Sequence, residues 1–104
     1  MTRNPELYLI CYDICGAGPE AVRRLRKVYR VLRGYGEHLQ YSVFRCTLSD
    51  RQLAQLEGQL EEVIDHSRDQ VMIVPLGAAS TAASWRMYTL GVPFDAPERV
   101  VRVV

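Results

Sequence analysis

The stretch "YLICYDIC", Tyr8 to Cys15, sets one carboxylate, Asp13, near the end of an otherwise apolar and aromatic run. Such a run reads as a strand buried on both faces, and a carboxylate at its end loses hydration unless it finds donors or a cation. Two chemistries are open to it. Asp13 can accept hydrogen bonds from the loop that follows, or it can bind a hard divalent ion where the strand end opens into a cleft. One carboxylate is a thin site, although magnesium commonly uses only one or two and keeps several waters. A two-fold axis beside the strand end would bring a second carboxylate, Asp13 of the partner subunit.

The other chemical signal is cationic. Arg23, Arg24, Arg26, Lys27, Arg30 and Arg33 share one side of a predicted helix, with only Glu20 on that helix to answer them. A charge-rich helix face is often just solvated, but this one also suits phosphate contact. No glycine-rich or base-reading motif accompanies it, so any such binding would follow backbone shape rather than sequence. Strong local catalytic signatures are missing: there is no phosphate loop, no H-E-x-x-H, no G-x-S-x-G and no zinc-type spacing. His38 and His66 are isolated and read as surface or structural residues. Cys11, Cys15 and Cys46 read as small apolar packing groups.

The elements that must position these residues follow from periodicity and punctuation. Turn residues in "GAGPE" close the first strand, and Pro19 suits a first helical turn, where its missing N–H costs nothing. In the helix that follows, Ala21, Val22, Leu25, Val28, Tyr29 and Leu32 recur at helical spacing on the face opposite the cations. Gly34 and Gly36 stop it. "HLQYSVFRCTL", His38 to Leu48, reads as extended structure, either one bent strand or two short ones. Ser49 with Gln52 makes a capping-box signature, and Leu53, Leu56, Leu60, Val63 and Ile64 trace a second helix. Val71 to Leu76 reads as a strand whose Pro75 suggests an edge position or the end of pairing. After a small-residue connector, "ERVVRVV" has strand character once more. This order predicts an α+β, ferredoxin-like βαββαβ sandwich with both helices on one face of a mostly antiparallel sheet. The bare sheet face would then be hidden in a two-fold homodimer, with the C-terminal strand reaching across.

The bulk properties bound this reading. The chain has 104 residues, 48% hydrophobic and 24% charged, with formal net charge +1. That suits a single domain over residues 1–104, with a core at about 7–77 and a C-terminal dimer-exchange segment at about 78–104. The charge balance alone argues neither for nor against nucleic acid. Three cysteines, an odd number without a C-x-x-C pair, suit a reduced cytoplasm. No apolar run reaches the roughly 18 residues that would span a bilayer, and "MTRNPE" lacks the apolar core of a signal peptide, so no membrane partner is expected.

Taken together, Tyr12-Asp13-Ile14, the segment Gly36 to Phe44 and "DQVMIVPL" from Asp69 to Leu76 resemble the CRISPR-associated endoribonuclease family Cas2. The resemblance covers about residues 7 to 77. It implies a ferredoxin-like homodimer whose two first-strand aspartates face each other and hold a magnesium or manganese ion, a role that falls to Asp13. It implies either metal-dependent nuclease activity on RNA or double-stranded DNA, or a scaffold that bridges Cas1 integrase dimers on duplex DNA during spacer acquisition. Tyr12, Ser42 and Phe44 match motif positions around the cleft and would position nucleic acid or the fold. His38 stands where many relatives carry arginine. The resemblance also divides "HLQYSVFRCTL" into two antiparallel strands that reverse near Gln40 to Ser42. Because this fold hosts many functions, a small regulatory or toxin-like dimer, such as a toxin-antitoxin ribonuclease, is the alternative.

Overall fold

The computed structural model of the chain describes residues 5–80 and 88–91. Its elements run β1 (Glu6–Asp13), α1 (Pro19–Arg33), β2 (Gly36–Gln40), β3 (Val43–Leu48), α2 (Asp50–Val63) and β4 (Gln70–Ala78). The strands form one antiparallel sheet in the order β2-β3-β1-β4. This is the expected ferredoxin-like α+β arrangement. β4 lies at an edge, which tolerates Pro75 because a proline has no N–H to give an outer neighbour. The C-terminal strand expected near Arg99–Val104 lies outside the described residues.

β1 differs from the strand expected to be buried on both faces. Tyr8, Ile10 and Tyr12 enter the core beneath the helices, whereas Leu9 and Cys11 on the alternate face are only half-buried and Asp13 is exposed. The reason is that both helices pack on one side of the sheet. Strand alternation then leaves an open apolar face, where Cys11 is flanked by Val43 on β3 and Met72 on β4, and Leu9 by Val74. Met72 is 52% exposed there.

α1 begins with Pro19 in its first turn and ends at Gly34, where Gly34 N donates to the Val31 carbonyl at 3.0 Å and Tyr35 N to the Leu32 carbonyl at 2.9 Å. Ala21, Val28 and Leu32 are buried as expected, and Leu25 and Tyr29 pack partly against them. Val22 was expected on the buried side but is 38% exposed. Ala21 takes the inward position of that turn, and Val22 lies about 100° further around the helix, over a cleft. α2 opens with a complete capping box: Ser49 Oγ accepts from Gln52 N at 3.1 Å, and Gln52 Oε1 accepts from Ser49 N at 2.9 Å. Leu56 and Leu60 form its buried stripe. Ile64 is a C-cap with extended backbone, beyond the helix it was expected to join.

The extended segment is indeed two strands, reversing at Tyr41–Ser42. Gly36 is obligatory at the start of β2, because a Cβ there would sit 2.4 Å from both Arg45 O and Cys46 Sγ. The core that results is centred on Phe44, Ile10, Leu32, Leu48, Leu56 and Leu60. Cys46 packs in it as expected, and burial pushes its thiol up to about 11, so it stays protonated and inert. Cys15, by contrast, is exposed, because it lies in the loop past the strand end.

Candidate functional site

Asp13 closes β1 at the mouth of an open cleft of about 480 Å³, lined by Tyr12, Ile14, Ala21, Val22 and Ser42 among others. Ser42 reaches the cleft because the β2–β3 turn folds back on the strand end, its carbonyl accepting from Tyr12 N at 3.1 Å. No hydrogen bond or ion pair to the Asp13 carboxylate occurs among the described residues. No described residue occupies its oxygens. The loop-capping role that was one reading of Asp13 belongs to a different residue.

That residue is Asp69, in the turn before β4. Its side chain is fully buried, and it accepts from Cys15 N at 2.9 Å, from Asp65 N at 2.7 Å and from Arg24 Nε at 2.9 Å. Arg24 in turn donates to the Cys15 carbonyl at 2.8 Å. Both polar groups of the Cys15 backbone are thus gripped, two residues past Asp13. Burial pushes the Asp69 carboxyl upward, but the bonds from Arg24, Asp65 and Cys15, with the Arg24 charge, outweigh it and hold the group below its usual range. Arg24 accordingly departs from the free basic face on which the sequence placed it: its guanidinium is turned into the β1–α1 loop. Composition could not show this, since Asp69 is 45 residues away in the chain.

The remaining cations keep the expected placement. Arg23, Arg26, Lys27 and Arg30 line a second groove with Ala17, Pro19 and Val22. Ala17 and Val22 also line the Asp13 cleft, so the two depressions adjoin. Arg33 is further along, donating to Tyr29 Oη at 3.1 Å with its guanidinium over that ring.

Behind the cleft, Tyr12, Phe44, Tyr29 and His38 form an aromatic group with centroid separations of 6.3 Å for Tyr12–Phe44 and 4.8 Å for His38–Phe44. Phe44 is completely buried, so it supports the site from the core and does not line it. Burial, and then the neighbouring Tyr29, push the Tyr12 phenol up to about 12. It is a neutral donor at physiological pH, not a base. His38 Nε2 is 2.6 Å from the Tyr41 carbonyl, and the Tyr12 hydroxyl donates to the same oxygen at 3.4 Å. The His38 ring thus helps to hold the hairpin turn.

Among the described residues no group of three or more His, Cys, Asp or Glu side chains stands together. Among the described residues the cleft therefore offers a single carboxylate, Asp13, with no hydrogen-bond or ion-pair partner. That donor set fits a hard ion that retains most of its waters and does not fit a caged transition metal.

Comparison with known proteins agrees with this geometry. The model of the family described as "CRISPR associated protein Cas2" matches residues 6–83. A relative from Thermodesulfovibrio yellowstonii, named CRISPR-associated endoribonuclease Cas2 2, is 42% identical over 76 residues, covering 73% of this chain and 78% of its own. Another, the CRISPR-associated endonuclease Cas2 of Halalkalibacterium halodurans, is 38% identical over 71 residues, 68% of this chain and 74% of its own. The crystal structure of Streptococcus pyogenes Cas2 at pH 6.5 superposes with TM-score 0.71 at 29% identity, covering 82% of this chain and 99% of that one. A family model that matches residues 6–83, relatives at about two-fifths identity and the shared ferredoxin-like sheet together show that the chain belongs to the CRISPR-associated Cas2 family.

Proposed function

We propose that this chain is the non-catalytic scaffold of CRISPR adaptation: a two-fold homodimer that bridges Cas1 integrase dimers and holds duplex DNA during spacer acquisition. The observation that carries this reading is the exposed groove of Arg23, Arg26, Lys27 and Arg30, cations with no ion-pair partner among the described residues. Such a row neutralises successive phosphates without reading bases. The half-buried face of Leu9, Cys11, Val43, Met72 and Val74 supports a dimer, because a second copy would remove that apolar surface from water. Three free cysteines suit a reduced cytoplasm. No helix of the described residues is long and apolar enough to cross a membrane. The deciding experiment is co-purification with the neighbouring Cas1, with and without duplex DNA. A complex that forms and is strengthened by DNA supports the scaffold; no complex in either condition refutes it.

A second reading, metal-dependent cleavage of RNA or double-stranded DNA, is favoured by the free Asp13 carboxylate at the cleft. Asp13 with Asp13 of the partner subunit would hold magnesium or manganese. When bound, that ion supplies Lewis acidity toward a phosphate oxygen. This chain's own part is to present the carboxylate through the Cys15 backbone grip and to shape the cleft with Tyr12 and Ser42. Among the described lining residues none besides Asp13 offers a general base, since Tyr12 stays protonated, which favours slow chemistry.

A further inference from the structure

Tyr41 is the one described residue other than glycine with a positive φ, at +38°. That conformation strains a residue with a Cβ and is ordinarily given to glycine or asparagine in a hairpin turn. Here it is enforced: His38 and Tyr12 both hold the Tyr41 carbonyl, at 2.6 and 3.4 Å. The side chain gains nothing visible in return, because the ring is 74% exposed and takes no part in the core. A strained backbone that presents an aromatic ring to solvent stabilises no part of the described fold, so its use lies in what the ring meets.

Its surroundings indicate the ligand. Ser42, the next residue, lines the Asp13 cleft, and that cleft adjoins the Arg23–Arg26–Lys27–Arg30 groove through Ala17 and Val22. A strand whose phosphates follow those cations past Asp13 would arrive beside a flat, rigidly based aromatic face. Every nucleobase has a π-face, and stacking on tyrosine needs no particular sequence. A base within a duplex is already stacked and paired, so this ring would select nucleic acid with an unpaired base. We propose that Tyr41 is a stacking platform for an unpaired nucleobase at the rim of the Asp13 cleft. The proposal rests on the nucleic-acid reading above and adds to it a preference for single-stranded ends or segments.

The test uses the full chain in EDTA, with a labelled 12-nucleotide single strand and a duplex of the same sequence, for wild type, Tyr41→Gly and Tyr41→Phe. Glycine removes the ring while accepting φ of +38°, so the turn survives; phenylalanine keeps the ring. Expected is a loss of about 5- to 100-fold in single-strand affinity for Tyr41→Gly, with Tyr41→Phe close to wild type and duplex affinity unchanged. A 2-aminopurine probe in the single strand should be quenched by wild type and Tyr41→Phe only. Unchanged single-strand binding by Tyr41→Gly overturns the platform while duplex binding by wild type still upholds the scaffold. Wild type that binds neither probe overturns both. A weakened dimer on sedimentation of Tyr41→Gly assigns the ring to contact with a second copy of this chain and overturns the base.

Discussion

Arg24 Nε donates to Asp69 Oδ2 at 2.9 Å, and between them these two side chains hold both polar groups of the Cys15 backbone. An ion pair with one fully buried partner thereby ties the loop after Asp13 to helix α1 and to the turn before β4. It joins segments distant in sequence around the candidate site.

The depressed Asp69 carboxyl makes stability depend on acid. Its folded-state pKa lies below the unfolded value of about 3.9, so the contribution is full well above that value and is lost as pH falls through the folded pKa. Urea midpoints measured from pH 6 down to 2.5 should decline for wild type. In Asp69→Asn the decline should be shallower, from a lower starting stability, because the variant leaves Arg24 without its carboxylate partner. An equally steep acid limb in the variant would assign the effect to other carboxylates.

Arg24 and its helix neighbours should separate in salt titrations. For a dimer on duplex DNA, Arg26→Ala with Arg30→Ala removes two contacts per protomer and should flatten the slope of log affinity against log salt by roughly 3 to 4 units. Arg24→Ala should leave the slope nearly unchanged but lower the thermal midpoint, since its guanidinium is already engaged. Matching wild-type slopes for the double variant would show that the Arg26 and Arg30 face is merely solvated.

Asp13→Asn deletes a charge with little change of shape. We expect it to abolish any magnesium-dependent cleavage and to weaken manganese binding seen by electron paramagnetic resonance. Dimer and Cas1 binding should persist. Full-rate cleavage by the purified variant would exclude Asp13 as the metal ligand.

Phe44 acts through the core. Phe44→Ala should cost about 3 to 5 kcal/mol in urea denaturation, and any loss of nucleic-acid binding should track the fraction unfolded. Lost binding in a fully folded sample would return Phe44 to the cleft.

Local pattern was sufficient for the elements. The capping box at Ser49 and Gln52, Pro19 in the first helical turn and the edge proline Pro75 are written in neighbouring residues, because each rests on hydrogen bonds or dihedral limits spanning a few positions, whereas the β2–β3 reversal followed from the family resemblance and not from periodicity. The cationic face and the carboxylate of Asp13 were legible for the same reason. What only the tertiary structure decided is which charges are free. From sequence, Arg24 is indistinguishable from Arg23 or Arg26, and Asp13 had two readings. Folding brings Asp69 against the β1–α1 loop, which removes Arg24 from the solvent face, relieves Asp13 of capping that loop and leaves its carboxylate without a partner among the described residues. Val22 and Tyr41 changed meaning likewise, one uncovered over the cleft and one held at a positive φ with its ring in solvent. Helical or strand period states which way a side chain points, whereas availability for chemistry depends on what the rest of the chain delivers to that point.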